Sequence, residues 1–122
     1  MRTDKRYARF LKAPRSARKG IKKAKAFIVK GDTARFYDTV FKTMQEYLGN
    51  KFNLPGGSIT VQIIEDKLRP AGCDESIVGM LRDIFAECDM ARYASSLPGK
   101  DAAGEALEKV KKVIDYLEKT KL

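Results

Sequence analysis

The chain has 122 residues, 43% of them hydrophobic, which suffices for one domain with a modest buried core. It contains no His, so His-based general-base catalysis and His-containing zinc sites are excluded. The formal net charge of +9 is unevenly distributed, because residues 1–31 hold 12 Lys or Arg and one acid, Asp4, whereas residues 32–122 hold 13 basic and 15 acidic residues. The N-terminal quarter is therefore expected to meet an anionic surface, either membrane lipid or nucleic acid.

The first predicted element is a basic amphipathic helix. Ala17, Ile21, Ala24 and Ile28 recur at steps of four, three and four residues, which places one narrow apolar stripe on a helix. Pro14 is expected to separate two helical pieces or to start the second. The residues predicted to contact an anionic surface lie off the apolar stripe; they are Arg15, Arg18, Lys19, Lys22, Lys23 and Lys25.

A tight hairpin is predicted to join the first helix to the second. Gly31 suits a helix C-terminus, and Asp32 or Thr33 can accept hydrogen bonds from the free amides of the next helix. The second helix is expected to end near Gly49. Its broad apolar face suits the centre of a bundle and comprises Phe36, Tyr37, Val40, Phe41, Met44, Tyr47 and Leu48.

The third element is ambiguous in sequence. Residues 53–58 contain Pro55 and two glycines and predict a loop. Residues 58–64 are rich in β-branched side chains and locally favour a strand, but no other segment offers a comparable partner strand. We therefore predict a helix to about Ala71, with Val61, Ile64 and Leu68 facing inward.

Two further helices complete the predicted fold. The fourth follows Gly72, is capped by Asp74, and runs to about Tyr93. Residues 95–100 form a loop, and a last amphipathic helix begins at Asp101. The expected apolar positions of the fourth helix are Ile77, Val78, Leu81, Ile84, Phe85, Cys88 and Ala91, and those of the last helix are Ala103, Leu107, Val110, Ile114 and Leu117.

The predicted fold class is therefore all-α, an antiparallel bundle of four to five helices in one domain. Residues 1–30 form a basic arm and first helix, residues 31–94 the bundle core, and residues 95–122 a loop and C-terminal helix. No run reaches the roughly 20 apolar residues of a membrane span, and the N-terminus is unlike a signal peptide. A soluble fragment with reduced thiols is expected, since Cys73 and Cys88 belong to no metal-binding or disulfide pattern.

Other candidate sites in the sequence favour structural roles. Three acidic pairs (65/66, 74/75 and 83/87) lie near helix ends or on a surface face, where carboxylates are ordinary. Cys88 falls on an apolar stripe, which favours a core position over a redox sensor. Arg92 and Tyr93 are interpreted first as a structural lock at a helix end. Arg92 could pair with Asp89 or with a carboxylate on another helix, and Tyr93 could pack its ring and leave its hydroxyl at the rim. Partner recognition is the alternative for both.

Several of these segments together resemble a known family. The basic helix, the Gly31-Asp32 turn and the block from Glu87 to Ala94 (ECDMARYA) are similar to the cytoplasmic C-terminal region of BatD-type oxygen-tolerance proteins of bacteria. The resemblance covers roughly residues 15–94, and it also includes Phe36-Tyr37, Tyr47-Leu48 and Leu54-Pro55.

The resemblance implies a role in assembling a complex, and no known catalysed reaction. It implies a cytoplasmic domain that follows a membrane span and helps to assemble an oxygen-tolerance complex with von Willebrand factor A domain proteins and a MoxR-type ATPase. The cations would then obey the positive-inside bias and attract the anionic leaflet. We therefore expect a non-catalytic interaction domain without cofactor or metal at the inner face of the bacterial membrane. A small cytosolic nucleic-acid-binding protein is the alternative.

Overall fold

The computed structural model of the chain describes residues 2–93 and 99–120, with side chains from residue 5 onward. Within these residues the fold is all-α, as predicted, with five α-helices and one turn of 3-10 helix. None of the described helices combines the length and apolar character needed to cross a membrane. The helices are α1 (Arg2–Val29), α2 (Thr33–Phe52), α3 (Val61–Leu68), α4 (Glu75–Tyr93) and α5 (Lys100–Lys119), and the 3-10 turn is Gly56–Ser58.

The four long helices form an antiparallel bundle. The start of α1 meets the end of α2, where the Arg9 guanidinium donates to the Asn50 side chain at 3.1 Å. Likewise, the residue just before α4 meets the end of α5, because the Asp74 amide donates to the Tyr116 hydroxyl at 3.1 Å. Helix α1 borders α2 and α5, whereas α4 borders α2, α3 and α5. Helices α1 and α4 therefore lie diagonally across the bundle from each other.

Helix α2 supplies the centre of the core because its apolar face is broad. Tyr37 and Tyr47 are the largest fully buried side chains, and each keeps its hydroxyl paired with a carboxylate on a neighbouring helix. The predicted apolar face of α2 is buried except at Phe41, which is half-buried and meets Phe85 edge-to-face. Tertiary packing of this face accounts for most of the helix's stability.

Helix α1 approaches α2 through small residues. Ala13, Ala17 and Ala24 are 2% exposed or less, and Gly20 lies between them on the same face. A Cβ atom at Gly20 would lie 2.1 Å from the Oγ1 atom of Thr43 on α2. The two helices are therefore too close at this point for any side chain at position 20.

The hairpin between α1 and α2 is formed by Gly31 and Asp32. Gly31 adopts a φ of 74°, which is the left-handed conformation that glycine tolerates without strain. The Asp32 carboxylate accepts a hydrogen bond from the Arg35 amide at 3.1 Å and so caps the start of α2. The chain reverses within these two residues.

The prediction that Pro14 divides or starts a helix was wrong. Helix α1 runs unbroken from Arg2 to Val29 with Pro14 in its interior. Pro14 has no amide hydrogen, so it cannot donate to the Phe10 carbonyl one turn earlier. Buried packing at Ala13 and Ala17, on both sides of the proline along the bundle, holds the two halves in one helix.

The predicted end of α2 near Gly49 was also wrong. The helix continues to Phe52 and ends at Asn53, which adopts the left-handed conformation with a φ of 55°. Gly49 is needed for close packing instead, since a Cβ atom there would lie 2.8 Å from the Leu54 carbonyl oxygen. Asn is the residue that most often replaces glycine at such a left-handed cap.

Helix α3 exists but is shorter than predicted. It covers Val61–Leu68 and is capped by Thr60, whose hydroxyl accepts from the Ile63 amide at 3.2 Å. Ile59 precedes the cap in an extended conformation and is 4% exposed, so the β-branched run serves partly as a buried connection. Ile64 and Leu68 are buried as expected, whereas Val61 is half-buried.

Helices α4 and α5 follow their predicted faces closely. Every predicted apolar position of α5 is buried, and α4 differs only at Ala91, which is half-buried. The Asp74 carboxylate accepts from the Ser76 amide at 3.1 Å at the start of α4. Of the loop predicted over 95–100, residues 95–98 lie outside the described residues, and Lys100 already belongs to α5.

Candidate anionic-surface interface

The face of α1 that points away from the core carries a continuous exposed stripe. Its members follow one another at steps of four, four, three, four, three and four residues, so they fall within roughly 80° of arc on the helix. At 1.5 Å per residue the stripe is about 33 Å long. This outer stripe consists of Tyr7, Leu11, Arg15, Arg18, Lys22, Lys25 and Val29, all of them exposed.

The structure brings all six predicted anionic-surface contacts to the exterior of one helix. Each of them is classed as exposed, and among the described side chains no carboxylate lies within 4.0 Å of any of their nitrogens. Elsewhere on the bundle several cations are paired, as Lys42 is with Asp38 at 3.0 Å and Lys119 with Asp115 at 3.1 Å. The uncompensated positive charge is therefore concentrated on α1.

The six cations divide into two groups by position. Arg15, Arg18, Lys22 and Lys25 belong to the outer stripe. Lys19 and Lys23 lie nearer α2, where they line a groove that also contains the side chains of Asp38 and Glu46. Lys42, which also lines this groove, is paired with Asp38, so Glu46 is the neighbour that lowers the potential at these two lysines.

The other border of the outer stripe carries charges of both signs. Arg18 lines a shallow cleft between α1 and α5, together with Lys111, Lys112, Asp115 and Glu118. Lys111 is paired with Glu108 at 3.5 Å, whereas Lys112 is exposed. The uncompensated positive surface is therefore that of α1 itself.

One basic residue of the N-terminal quarter is structural, and sequence reasoning missed it. The Arg9 guanidinium donates to the Asn50 side chain at 3.1 Å, the Asn53 side chain at 2.9 Å and the Leu54 carbonyl at 2.8 Å. It therefore fastens the start of α1 to the end of α2. The signal was present in the spacing, because position 9 lies four residues before the buried Ala13 and thus on the packed face.

Arg92 takes part in an aromatic contact instead of the predicted ion pair. Its guanidinium carbon lies 4.4 Å from the centre of the Phe41 ring on α2 and 5.5 Å from that of Tyr93. Within the described part of the chain it has no carboxylate partner, so the expected pairing with Asp89 is absent. Arg92 ties the end of α4 to α2 by a cation–π contact.

The Tyr93 ring is not packed, although its predicted role as a structural lock requires packing. Its side chain is 79% exposed, and Met90, three residues earlier on the same helix, is 62% exposed. The two residues form an exposed apolar pair on α4, diagonally across the bundle from α1. Such a pair is available to a protein partner.

A buried carboxylate holds α3 to α4, contrary to the expectation that Glu65 is an ordinary surface acid. Glu65 is 7% exposed, and its Oε1 atom accepts hydrogen bonds from both Nε and Nη2 of Arg82 on α4. Arg69 approaches the other carboxylate oxygen at 3.5 Å. Position 65 lies four residues after Val61 and three before Leu68, so the sequence spacing already placed it on the inner face of α3.

The two thiols lie in the core. Cys88 is 1% exposed, as the apolar spacing predicted. Burial, reinforced by Asp89 and Glu87, raises the pKa of the Cys88 thiol to about 12. Burial also raises the pKa of Cys73. Thiols that stay protonated at neutral pH are weak nucleophiles and poor redox sensors.

No family model matches the chain, and neither curated proteins nor solved structures gave a match. The resemblance to the BatD-type proteins therefore stays a prediction from sequence. What the molecule does has to be argued from the outer stripe and from the exposed pair on α4.

Proposed function

We propose that this chain is a non-catalytic interaction domain of a BatD-like membrane protein, held against the anionic membrane surface by α1. In the full-length protein this surface is the cytoplasmic face of the bacterial inner membrane. The single observation that supports the proposal best is the row of exposed cations on α1 without described carboxylate partners.

The expected strength of this attraction follows from the number of cations. Arg15, Arg18, Lys22 and Lys25 lie along one side of α1, all after Pro14, so all four can approach a flat surface together. Each basic residue near an anionic leaflet contributes about 1 kcal/mol, so four contribute about 4 kcal/mol. This corresponds to roughly a thousandfold preference for anionic over neutral lipid.

The partners in this proposal come from the family resemblance. They are von Willebrand factor A domain proteins and a MoxR-type ATPase, whose assembly into an oxygen-tolerance complex the domain would support. Met90 and Tyr93 support a protein contact on the side away from the membrane, because exposed tyrosines are over-represented among binding hot spots.

The test compares binding to phosphatidylcholine vesicles with and without phosphatidylglycerol. The protein should sediment only with the anionic vesicles and should be released as salt rises, since exposed charges are screened beyond about 10 Å at 0.1 M salt. The variant R18E/K22E/K25E should lose this binding and keep its helical circular dichroism. Equal binding of the unaltered protein to neutral vesicles would refute the proposal.

A matched control separates the position of the charges from their total. The variant K67E/K100E/K119E changes the net charge by the same amount at three exposed lysines of α3 and α5. It should bind anionic vesicles much as the unaltered protein does. If both triple variants lose binding equally, net charge alone drives the attraction, and α1 has no special role.

A nucleic-acid-binding protein is the second candidate, because exposed cations without acidic neighbours also suit phosphates. The same three proteins are tested by fluorescence anisotropy with a mixed-sequence DNA duplex. Tight duplex binding by the unaltered protein, with a steep salt dependence and no vesicle binding, would favour this candidate over the membrane.

A further inference from the structure

The first turns of α1 expose three apolar side chains among cations. Tyr7 is 63% exposed, Leu11 is 54% exposed and Phe10 is 47% exposed. Phe10 is partly covered, because the Lys51 ammonium lies 5.0 Å from its ring centre. Tyr7 and Leu11 lie one helical turn apart on the outer stripe and face away from the bundle.

Position on the outer stripe distinguishes these two residues from ordinary exposed apolar side chains. Tyr7 and Leu11 continue the line formed by Arg18, Lys22 and Lys25, so a flat surface that meets the cations also meets them. Isolated exposed apolar residues are common and need no explanation. Here an aromatic and an aliphatic residue stand at one end of a row of cations on the same face, so the cations can meet headgroups while the apolar pair reaches the acyl boundary of the same surface.

Charge complementarity identifies the occupant of this surface. Arg6 and Lys12 are exposed on the same turns as Tyr7 and Leu11, about 100° around the helix from them, and the one acid in the sequence of α1 is Asp4. An anionic bilayer offers negative headgroups to the cations and an acyl boundary to the apolar side chains within one surface. Tyr is also among the residues enriched at the headgroup level of membranes.

We propose that Tyr7 and Leu11 insert into the headgroup and acyl boundary of an anionic bilayer and anchor the start of α1 there. This inference rests on the proposed membrane contact of α1 and adds to it a component that does not depend on charge. Salt should therefore weaken binding without abolishing it, because apolar insertion is not screened.

The insertion can be measured by removing the two side chains. The variant Y7S/L11S should bind anionic vesicles about 50-fold more weakly at low salt. Each side chain contributes about five- to tenfold when roughly half of its apolar surface enters the bilayer. At high salt it should lose the residual binding that the unaltered protein keeps. The control M90S/Y93S removes an aliphatic and an aromatic side chain of α4 that are at least as exposed as Leu11 and Tyr7, and it should bind vesicles as the unaltered protein does.

A direct readout uses the absence of Trp from the chain. The variant L11W carries a single indole whose emission should shift to shorter wavelength on anionic vesicles and be quenched by lipids brominated on their acyl chains. The control M90W should bind equally and show neither effect. Vesicle binding of L11W without an emission shift would overturn the insertion while leaving the charge-driven contact standing.

Two further outcomes separate this inference from the function on which it rests. If neither Trp variant binds vesicles, the membrane contact itself fails. If L11W binds a DNA duplex and not vesicles, the outer stripe is a phosphate-binding surface and both proposals are wrong. A fully salt-sensitive interaction in the unaltered protein would also overturn the insertion.

Discussion

The close approach of α1 and α2 at Gly20 makes a sharp prediction about a single methyl group. In an exposed helix interior, replacing Gly by Ala stabilises the helix by about 1 kcal/mol. In Gly20→Ala the new Cβ atom would lie 2.1 Å from Oγ1, 2.5 Å from Cγ2 and 2.8 Å from Cβ of Thr43. Thr43 is 8% exposed and β-branched, so it has little freedom to move aside.

The size of the effect follows from these opposing contributions. Forcing an extra methyl group into a packed contact costs about 1 to 3 kcal/mol, and a contact this short belongs in the upper part of that range. After subtraction of the helix-propensity gain, Gly20→Ala should lower the free energy of unfolding by about 1 to 2 kcal/mol. The assay is urea unfolding followed by circular dichroism.

The matched control is Gly104→Ala on α5. Gly104 is also inside a long helix, but a Cβ atom there meets nothing within 4 Å. This variant should gain about 1 kcal/mol. In the double variant Gly20→Ala/Thr43→Ala the two shortest contacts disappear, so its loss should be smaller than the sum of the single losses. If Gly20→Ala and Gly104→Ala stabilise the protein equally, the close packing of α1 on α2 is wrong.

Three further predictions test other contacts in the bundle. Glu65→Gln should destabilise the protein by about 1 to 2 kcal/mol in urea unfolding, because the hydrogen bonds that Glu65 accepts from the partly exposed Arg82 lose their charge assistance. An unchanged midpoint would contradict the ion pair between Glu65 and Arg82. Arg92→Ala should lower the free energy of unfolding by about 0.5 to 1 kcal/mol, with a lower melting temperature, because the contact with Phe41 is lost. An unchanged melting temperature with lost pull-down of the proposed partner proteins would make Arg92 an interface residue instead. Cys88 should react with thiol reagents only after unfolding. Because the pKa of Cys88 is higher in the folded than in the unfolded chain, the free energy of unfolding should fall as pH rises above about 9. This fall should be less steep in Cys88→Ala than in the unaltered protein. Rapid labelling of folded Cys88 would show that it is not in the core.

Hydrophobic spacing predicted most of the fold because the core is built from long, regular faces. The apolar faces of α2 and α5 could be predicted without knowing which helix packs on them, since their apolar residues recur at helical steps over roughly three to four turns. The positions of Gly and Pro alone predicted helix ends less well than hydrophobic spacing predicted helix faces. Pro14 and Gly49 stand inside helices, because packing on a neighbouring helix overrides the local tendency of these residues to interrupt them.

The polar contacts that join elements could be located only in three dimensions. Arg9 and Glu65 lie at helical steps from buried residues, which indicates an inward position but not a partner. Asn50, the partner of Arg9, is 41 residues away in sequence, and Arg82 is 17 residues from Glu65. Pairings of this kind depend on how the helices cross. The cations of the outer stripe were easier to predict, because exposure requires only that they lie off the apolar face.

Helix α1 presents its cations on a backbone that is ordered by folding. Its small residues lie against α2, and Arg9 fixes its start, so the backbone positions of the cations are set within the bundle. A disordered basic tail loses about 1 to 2 kcal/mol of conformational entropy for each residue that binding orders, whereas for α1 this loss belongs to folding. Under the proposed function, headgroups of a fluid bilayer would diffuse laterally beneath this row of cations until the charges are neutralised. The contact would then require no ordering of the basic segment at the surface.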